Sequence, residues 1–202
     1  APGQIDTNIS DINPNIYVGA CHKWMCSPKG ASFLYADRNI QDSIDPLVIS
    51  WGWKSEIPGK SKFLDYHQYQ GTNDVSAYLT IPEIVNFFKE HHWNSIQEQC
   101  HELIIDFLNS SNNIIDPCSN NANHLAQMLS FKVNKNSSLI QTVFASPYGL
   151  IDAQNQVFNY NGIRIPIIVW NEEIFMRVSI QAYNTPEDIE KLFDMLNHFN
   201  LL

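Results

Sequence analysis

Apolar residues are spaced in two ways along the chain. Up to about residue 70 they come in short runs at 16–20, 32–36 and 46–51, each bounded by Pro, Gly, Asn or Asp, and this predicts strands joined by loops. A polar stretch containing glycine and lysine follows at 52–63. From about residue 75 the apolar spacing lengthens to three and four. It predicts a helix over 75–90 with a break near Pro82, then another over 94–109, where Ile96, Cys100, Leu103, Ile104, Phe107 and Leu108 recur at helical intervals. The Asn/Ser-rich segment 109–124 predicts a loop.

Beyond it the pattern is that of a small α/β unit. Strands are predicted at 128–133, at 163–169 around Pro166, and at 173–183, with a short helix at 137–148. The last element has the clearest signature. Thr185 is the expected N-cap, Pro186 the first helical residue and Asp188 part of an acidic first turn, after which Ile189, Leu192, Phe193, Leu196 and Phe199 form one apolar stripe.

Composition narrows the function classes. A net charge of −9 with only 12 Lys and Arg in 202 residues, and no basic run, argues against nucleic acid or an anionic membrane as partner. No apolar run approaches the roughly 18 residues a membrane span needs. Four cysteines, Cys21, Cys26, Cys100 and Cys118, form no paired C-x-x-C knuckles, and no segment reads as a signal peptide. Reduced thiols and a cytoplasmic location are therefore expected. His91, His92 and His101 lie near Cys100 in sequence, but solvated helix positions are the expected reading rather than a metal site.

Three segments carry chemistry. In Gly19-Ala20-Cys21-His22-Lys23-Trp24-Met25-Cys26-Ser27-Pro28-Lys29-Gly30, one lysine stands at the end of an apolar strand and before a Pro/Gly turn. A lysine at a strand end is most often a solvated surface residue. At a pocket edge, burial would instead disfavour the ammonium form and free the amine for a Schiff base. In Gln70-Gly71-Thr72-Asn73-Asp74-Val75-Ser76, a glycine turn runs into a helix start, with Asp74 as expected N-cap and free N–H groups suited to an anion. In Phe175-Met176-Arg177-Val178-Ser179-Ile180-Gln181-Ala182-Tyr183, alternation places Met176, Val178, Ile180 and Ala182 on one face and Arg177 on the more polar one. There a planar guanidinium can grip a carboxylate through two parallel hydrogen bonds.

Taken together and in this order, the three segments resemble those of class V aminotransferase-like enzymes, in particular the isopenicillin-N-epimerase-like branch, whose cofactor is pyridoxal 5′-phosphate. The resemblance runs from Ala1 to about Leu196. It implies that Lys23 binds the cofactor covalently and acts as base at Cα, and that Gly71 and Thr72 form the phosphate loop, which in such dimers serves the neighbouring subunit's cofactor. It also implies that Arg177 holds the substrate α-carboxylate. His22 is either a phosphate- or aldehyde-side neighbour of the cofactor or a structural residue. Asn73 stands where many relatives carry arginine, which removes a charge contact.

The implied architecture is α/β, the C-terminal part of a fold-type-I enzyme. Residues 1–93 would close the large cofactor-binding domain and 94–202 would form the small α/β sandwich domain. In relatives of this type the ring-stacking aromatic and the aspartate that pairs with the ring nitrogen lie upstream of the residues that Ala1-Pro2-Gly3-Gln4-Ile5 resemble. The implied activity is chemistry at Cα of an amino acid or amino-acid-derived substrate in a homodimer with shared sites. Epimerisation, elimination of a β-sulfur group and transamination share its first step. Desulfurases of this class need a mobile cysteine ahead of the arginine strand, and residues 162–170 have none, which favours epimerase-like or C–S lyase-like chemistry. The alternative from another class is a catalytically silent remnant or interaction domain that kept the fold.

Overall fold

The computed structural model describes residues 2–111, 114–119 and 121–202. Ala1, Asn112, Asn113 and Asn120 lie outside the described residues, so the expected contribution of Ala1 and part of the 109–124 loop are not addressed. The chain divides into two compact units, Ala1–His91 and His92–Leu202.

In the first unit, β1 (Ile16–Ala20) and β2 (Ser32–Ala36) pair antiparallel, with Ile16 opposite Ala36 and Ala20 opposite Ser32. Both strands fall where the apolar runs place them. A short helix α1 (Ile9–Ile12) precedes them, capped by the Asn8 side chain, which accepts the Ser10 N–H at 3.0 Å. The third run, 46–51, is not a strand among the described residues: it has no pairing partner, and Leu47, Ile49 and Trp51 are exposed. The polar stretch instead leads into a helix, α2 (Lys62–Gln68), started by Ser61, whose hydroxyl accepts the Leu64 N–H at 3.3 Å. Then come α3 (Ser76–Leu79) and α4 (Ile81–Glu90), separated at Thr80, with Pro82 in the first turn of α4. Proline's missing N–H is tolerated there, which explains the break.

The second unit opens with α5 (Trp93–Ser110), which buries Cys100, Ile104 and Phe107. Four strands follow in the spatial order β3 (Asp116–Pro117), β4 (Met128–Lys132), β6 (Glu173–Ser179), β5 (Ile167–Trp170), all antiparallel. Helix α6 (Ser138–Ala145) lies within the expected 137–148. A further helix, α7 (Gly149–Asn161), is one the sequence pattern did not predict. Its apolar positions are sparse and Pro147 and Gly149 read as a stop. In fact Gly149 lets the start of α7 press against the carbonyls of Thr142 and Val143, where a side chain would collide with backbone.

Terminal helix α8 (Pro186–His198) begins as expected. The Asp188 carboxylate accepts the Thr185 N–H at 3.2 Å, and Leu192, Met195 and Leu196 are buried, with Ile189, Phe193 and Phe199 packed against the same core. That core joins α5 to the sheet through Phe107, whose ring centroid lies 5.9 Å from that of Phe131 and 5.0 Å from that of Phe193. No helix among the described residues is long and apolar enough to cross a membrane.

Candidate functional site

The connection between β1 and β2 is built to hold a tip on a rigid base. The strand ladder continues one rung beyond the hairpin, with the Cys21 N–H donating to the Ala31 carbonyl at 3.1 Å. The Ser27 N–H returns to the Cys21 carbonyl at 3.1 Å, and the Cys26 N–H donates to the Lys23 carbonyl at 2.9 Å, closing a turn in which Cys26 adopts a left-handed φ of +59°. Cys21, Ser27 and Ala31 are buried, and burial pushes the Cys21 thiol up from its ordinary value. Gly3 runs so close beneath the turn that a β-carbon there would meet the Trp24–Met25 backbone at 2.7 Å.

Lys23 and His22 occupy the exposed tip of this turn. The burial expected of Lys23 at a pocket edge is therefore not supplied by the described residues. Among the described residues Lys23 makes no ion pair.

Gly71 has φ of +107°, which L-residues rarely adopt, and open space where a β-carbon would stand. Thr72 beside it is exposed. Asp74 differs from its expected role. The cap position of α3 is Val75, and the Asp74 carboxylate instead accepts the Ser76 N–H at 2.9 Å from one residue further upstream. That hydrogen bond holds the Asp74 carboxyl below its ordinary range. With α3 only 4 residues long and its Ser76 N–H already taken, this helix start lacks the free donors expected of it.

The structure brings these two segments together. Ala77 of α3 shares a buried cluster with Cys21 and Ala31, with Met25 and Ile81 packed against it. A broad cavity of about 860 Å³ adjoins them, lined in part by Val18, Leu34, His67, Asn73 and Tyr78. His67 is a residue the sequence reading passed over; its Nδ1–H donates to the Phe63 carbonyl at 2.8 Å and its Nε2 is buried without a hydrogen-bond partner among the described residues.

Arg177 belongs to the other unit and is described within it. On β6 it stands opposite Ser130 of β4, and its backbone N–H donates to the Pro166 carbonyl at 3.2 Å. Its neighbours Met176 and Val178 enter the core, as alternation requires, and Ile180 is buried too. The strand ends at Ser179 rather than 183, where the Ile180 N–H turns to the Gln127 carbonyl at 2.9 Å; Ala182 is consequently exposed, contrary to expectation. Arg177 is half-buried, and its Nε is buried without a hydrogen-bond partner among the described residues. It lines a cavity of about 310 Å³ together with Arg164, Pro166, Tyr183, Asn184 and Asp188. Arg164 was not among the expected site residues; its segment was expected as a strand around Pro166 without cysteine, and the strand begins only at Ile167. The signal available there was a cation set inside the apolar run Ile163-Arg164-Ile165.

The histidine and cysteine positions have ordinary structural roles. Cys100 is a core residue on the apolar stripe of α5, as its helical spacing predicts, His91 packs on Phe87 with ring centroids 4.2 Å apart, and the His101 Nδ1–H donates to the Ala126 carbonyl at 3.0 Å. Cys21, Cys26, Cys100 and Cys118 form no disulfide.

Comparison with known proteins places this geometry. The chain is 23% identical to isopenicillin N epimerase of Amycolatopsis lactamdurans over 213 aligned residues, covering 99% of this chain and 50% of that protein. Its fold is similar to two structures of C-DES. One is the cystine C–S lyase in complex with its reaction product cysteine persulfide, at TM-score 0.71 and 20% identity, covering 98% of this chain and 50% of that chain. The other is a mutant with glycine covalently linked to the PLP cofactor, at TM-score 0.70 and 19% identity, covering 98% and 49%. The chain thus spans about half the length of each of these proteins, and the likeness shows the mixed α/β fold that the resemblance implied. The family model for aminotransferase class-V matches residues 1–192, and the chain belongs to that family.

Proposed function

We propose that this chain carries the cofactor-lysine and carboxylate-binding parts of a pyridoxal-5′-phosphate enzyme that acts at Cα of an amino acid or amino-acid-derived substrate, with epimerase-like or C–S lyase-like chemistry. The observation that carries this reading is the family match over residues 1–192 together with the place of Lys23 on a turn pinned at its base and packed against the helix that follows Gly71 and Thr72.

The residues present fit such a cofactor. Lys23 offers a free amine for an aldehyde, and the open space at Gly71 with the adjoining Thr72 hydroxyl suits a phosphate. When bound, pyridoxal phosphate supplies an electron sink for the pair left at Cα. The chain's own residues do the rest. Lys23 Nζ would hold the cofactor and, when not so engaged, would take the Cα proton; acid–base help of this kind contributes about 10²–10⁴-fold. His22, beside it on the tip, is a neighbour of the cofactor rather than the primary base.

Arg177 binds the substrate carboxylate, and its unpartnered buried Nε supports that role. Return of the proton on the opposite face inverts Cα, whereas departure of a β-sulfur substituent gives elimination. The lack of cysteine in residues 162–170 disfavours persulfide transfer and favours inversion or elimination. The working form is a homodimer in which Gly71 and Thr72 serve the neighbouring subunit's cofactor, located in the cytoplasm. The test is spectroscopic. The complete gene product, mixed with pyridoxal phosphate, should gain a visible absorbance that borohydride abolishes, and a colourless protein that takes up no cofactor would favour a silent fold instead.

A further inference from the structure

The cavity of about 310 Å³ beside Arg177 holds a second arginine that the proposed reaction does not use. Arg164 lies on its rim, exposed, with its guanidinium carbon 3.9 Å from the centroid of the Phe158 ring and Nη1 donating to Asn155 Oδ1 at 3.4 Å. Those contacts come from α7 and hold the guanidinium by stacking on one face and by one N–H, leaving further donors free for a ligand. Arg177 lies deeper, with its buried Nε unpartnered. Neither arginine makes an ion pair among the described residues.

Asp188 also lines the cavity, but its carboxylate is engaged by the Thr185 N–H at 3.2 Å and by Asn184 Nδ2 at 3.1 Å, which ties it to the start of α8. The side-chain charges thus sum to one net positive. Ile165, Pro166, Val178 and Ile189 supply apolar lining. A small cavity lined by two arginines and by apolar side chains is matched by a ligand with two anionic groups on an aliphatic stem.

We infer that Arg164 is a specificity residue that reads a second anionic group, so that the substrate class is an amino acid or amino-acid derivative carrying a carboxylate on its side chain. This rests on the reading of Arg177 as the α-carboxylate ligand, and it assigns a role to a second residue lining the same cavity.

Glutarate and butyrate, which share a short aliphatic stem but differ by one carboxylate, are suitable probes, with binding to the full 202-residue chain measured by isothermal titration. Glutarate should bind at least ten-fold more tightly than butyrate. Arg164→Gln should erase that preference while leaving butyrate affinity unchanged, and Arg164→Lys should retain part of it; circular dichroism checks that each variant is folded. Equal affinity for the two acids, a preference that survives Arg164→Gln, or no measurable binding of either acid overturns the inference. Arg177→Gln distinguishes the underlying reading: it should weaken both acids, and unchanged butyrate affinity would remove Arg177 as a carboxylate ligand whatever the Arg164 variants show.

Discussion

A β-carbon added to Gly30 would stand 3.7 Å from the Ala77 side chain, so the turn that carries Lys23 rests on the first turn of the helix after Gly71 and Thr72. Space is therefore not what demands glycine at position 30. The demand comes from its φ of +114°, a conformation that costs an L-residue about 1–2 kcal/mol. Gly30→Ala should lower the urea midpoint by a corresponding amount, whereas Ala77→Leu should cost about 1–3 kcal/mol by overpacking the small cluster with Cys21 and Ala31. Both are read from equilibrium unfolding followed by tryptophan fluorescence.

Asp74 makes stability depend on pH near the second segment. Its folded-state carboxyl is held low by the hydrogen bond from Ser76, so its contribution is present above the ordinary aspartate range and is lost as pH falls through the depressed folded value. Asp74→Ala should be less stable than the parent at pH 7, and the two urea midpoints should converge as pH is lowered below about 4. A gap that stays constant across that range would remove the carboxylate as its source.

Arg177→Lys keeps the charge and loses the planar fork. With one charge-assisted hydrogen bond worth about 1.5–3 kcal/mol, kcat/KM for an amino-acid substrate should fall about 10- to 100-fold, with cofactor binding little changed. Steady-state kinetics on the complete protein beside cofactor titration separates the two effects.

Much of this was legible in the residues, and the losses have physical causes. β1, β2, the break before Pro82, α5 and the Thr185–Asp188 helix start were readable because each is fixed by local chemistry: apolar runs between turn residues, proline's missing N–H, or a cap. The run at 46–51 was misread because strand propensity says nothing about whether a partner strand exists. Helix α7 was missed because its burial rests on Gly149, Ala153 and Val157, small or isolated positions that leave little apolar periodicity. For the candidate site, Lys23, Gly71 and Arg177 could be picked out by segment. The packing of Ala77 against Cys21 and the shared cavity of Arg164 and Arg177 are contacts between distant residues, which no local pattern encodes.

The four thiols should react unequally. Cys100 is buried in the core, and burial pushes its thiol up, with a smaller opposing effect from Gln127; Cys118 is exposed. Iodoacetamide at neutral pH should modify Cys118 in the native protein and reach Cys100 only after unfolding, as peptide mass spectrometry would show. Native-state modification of Cys100 at a comparable rate would contradict the core assigned to α5.

Lys23 is proposed as the lysine that binds the cofactor. The most direct measurement is borohydride reduction of the complete protein in the presence of pyridoxal phosphate, followed by digestion and peptide mass spectrometry. The pyridoxyl adduct is expected on the peptide containing His22, Lys23 and Trp24, with its loss in Lys23→Ala while the fold persists. An adduct confined to another lysine, or none at any, would contradict it.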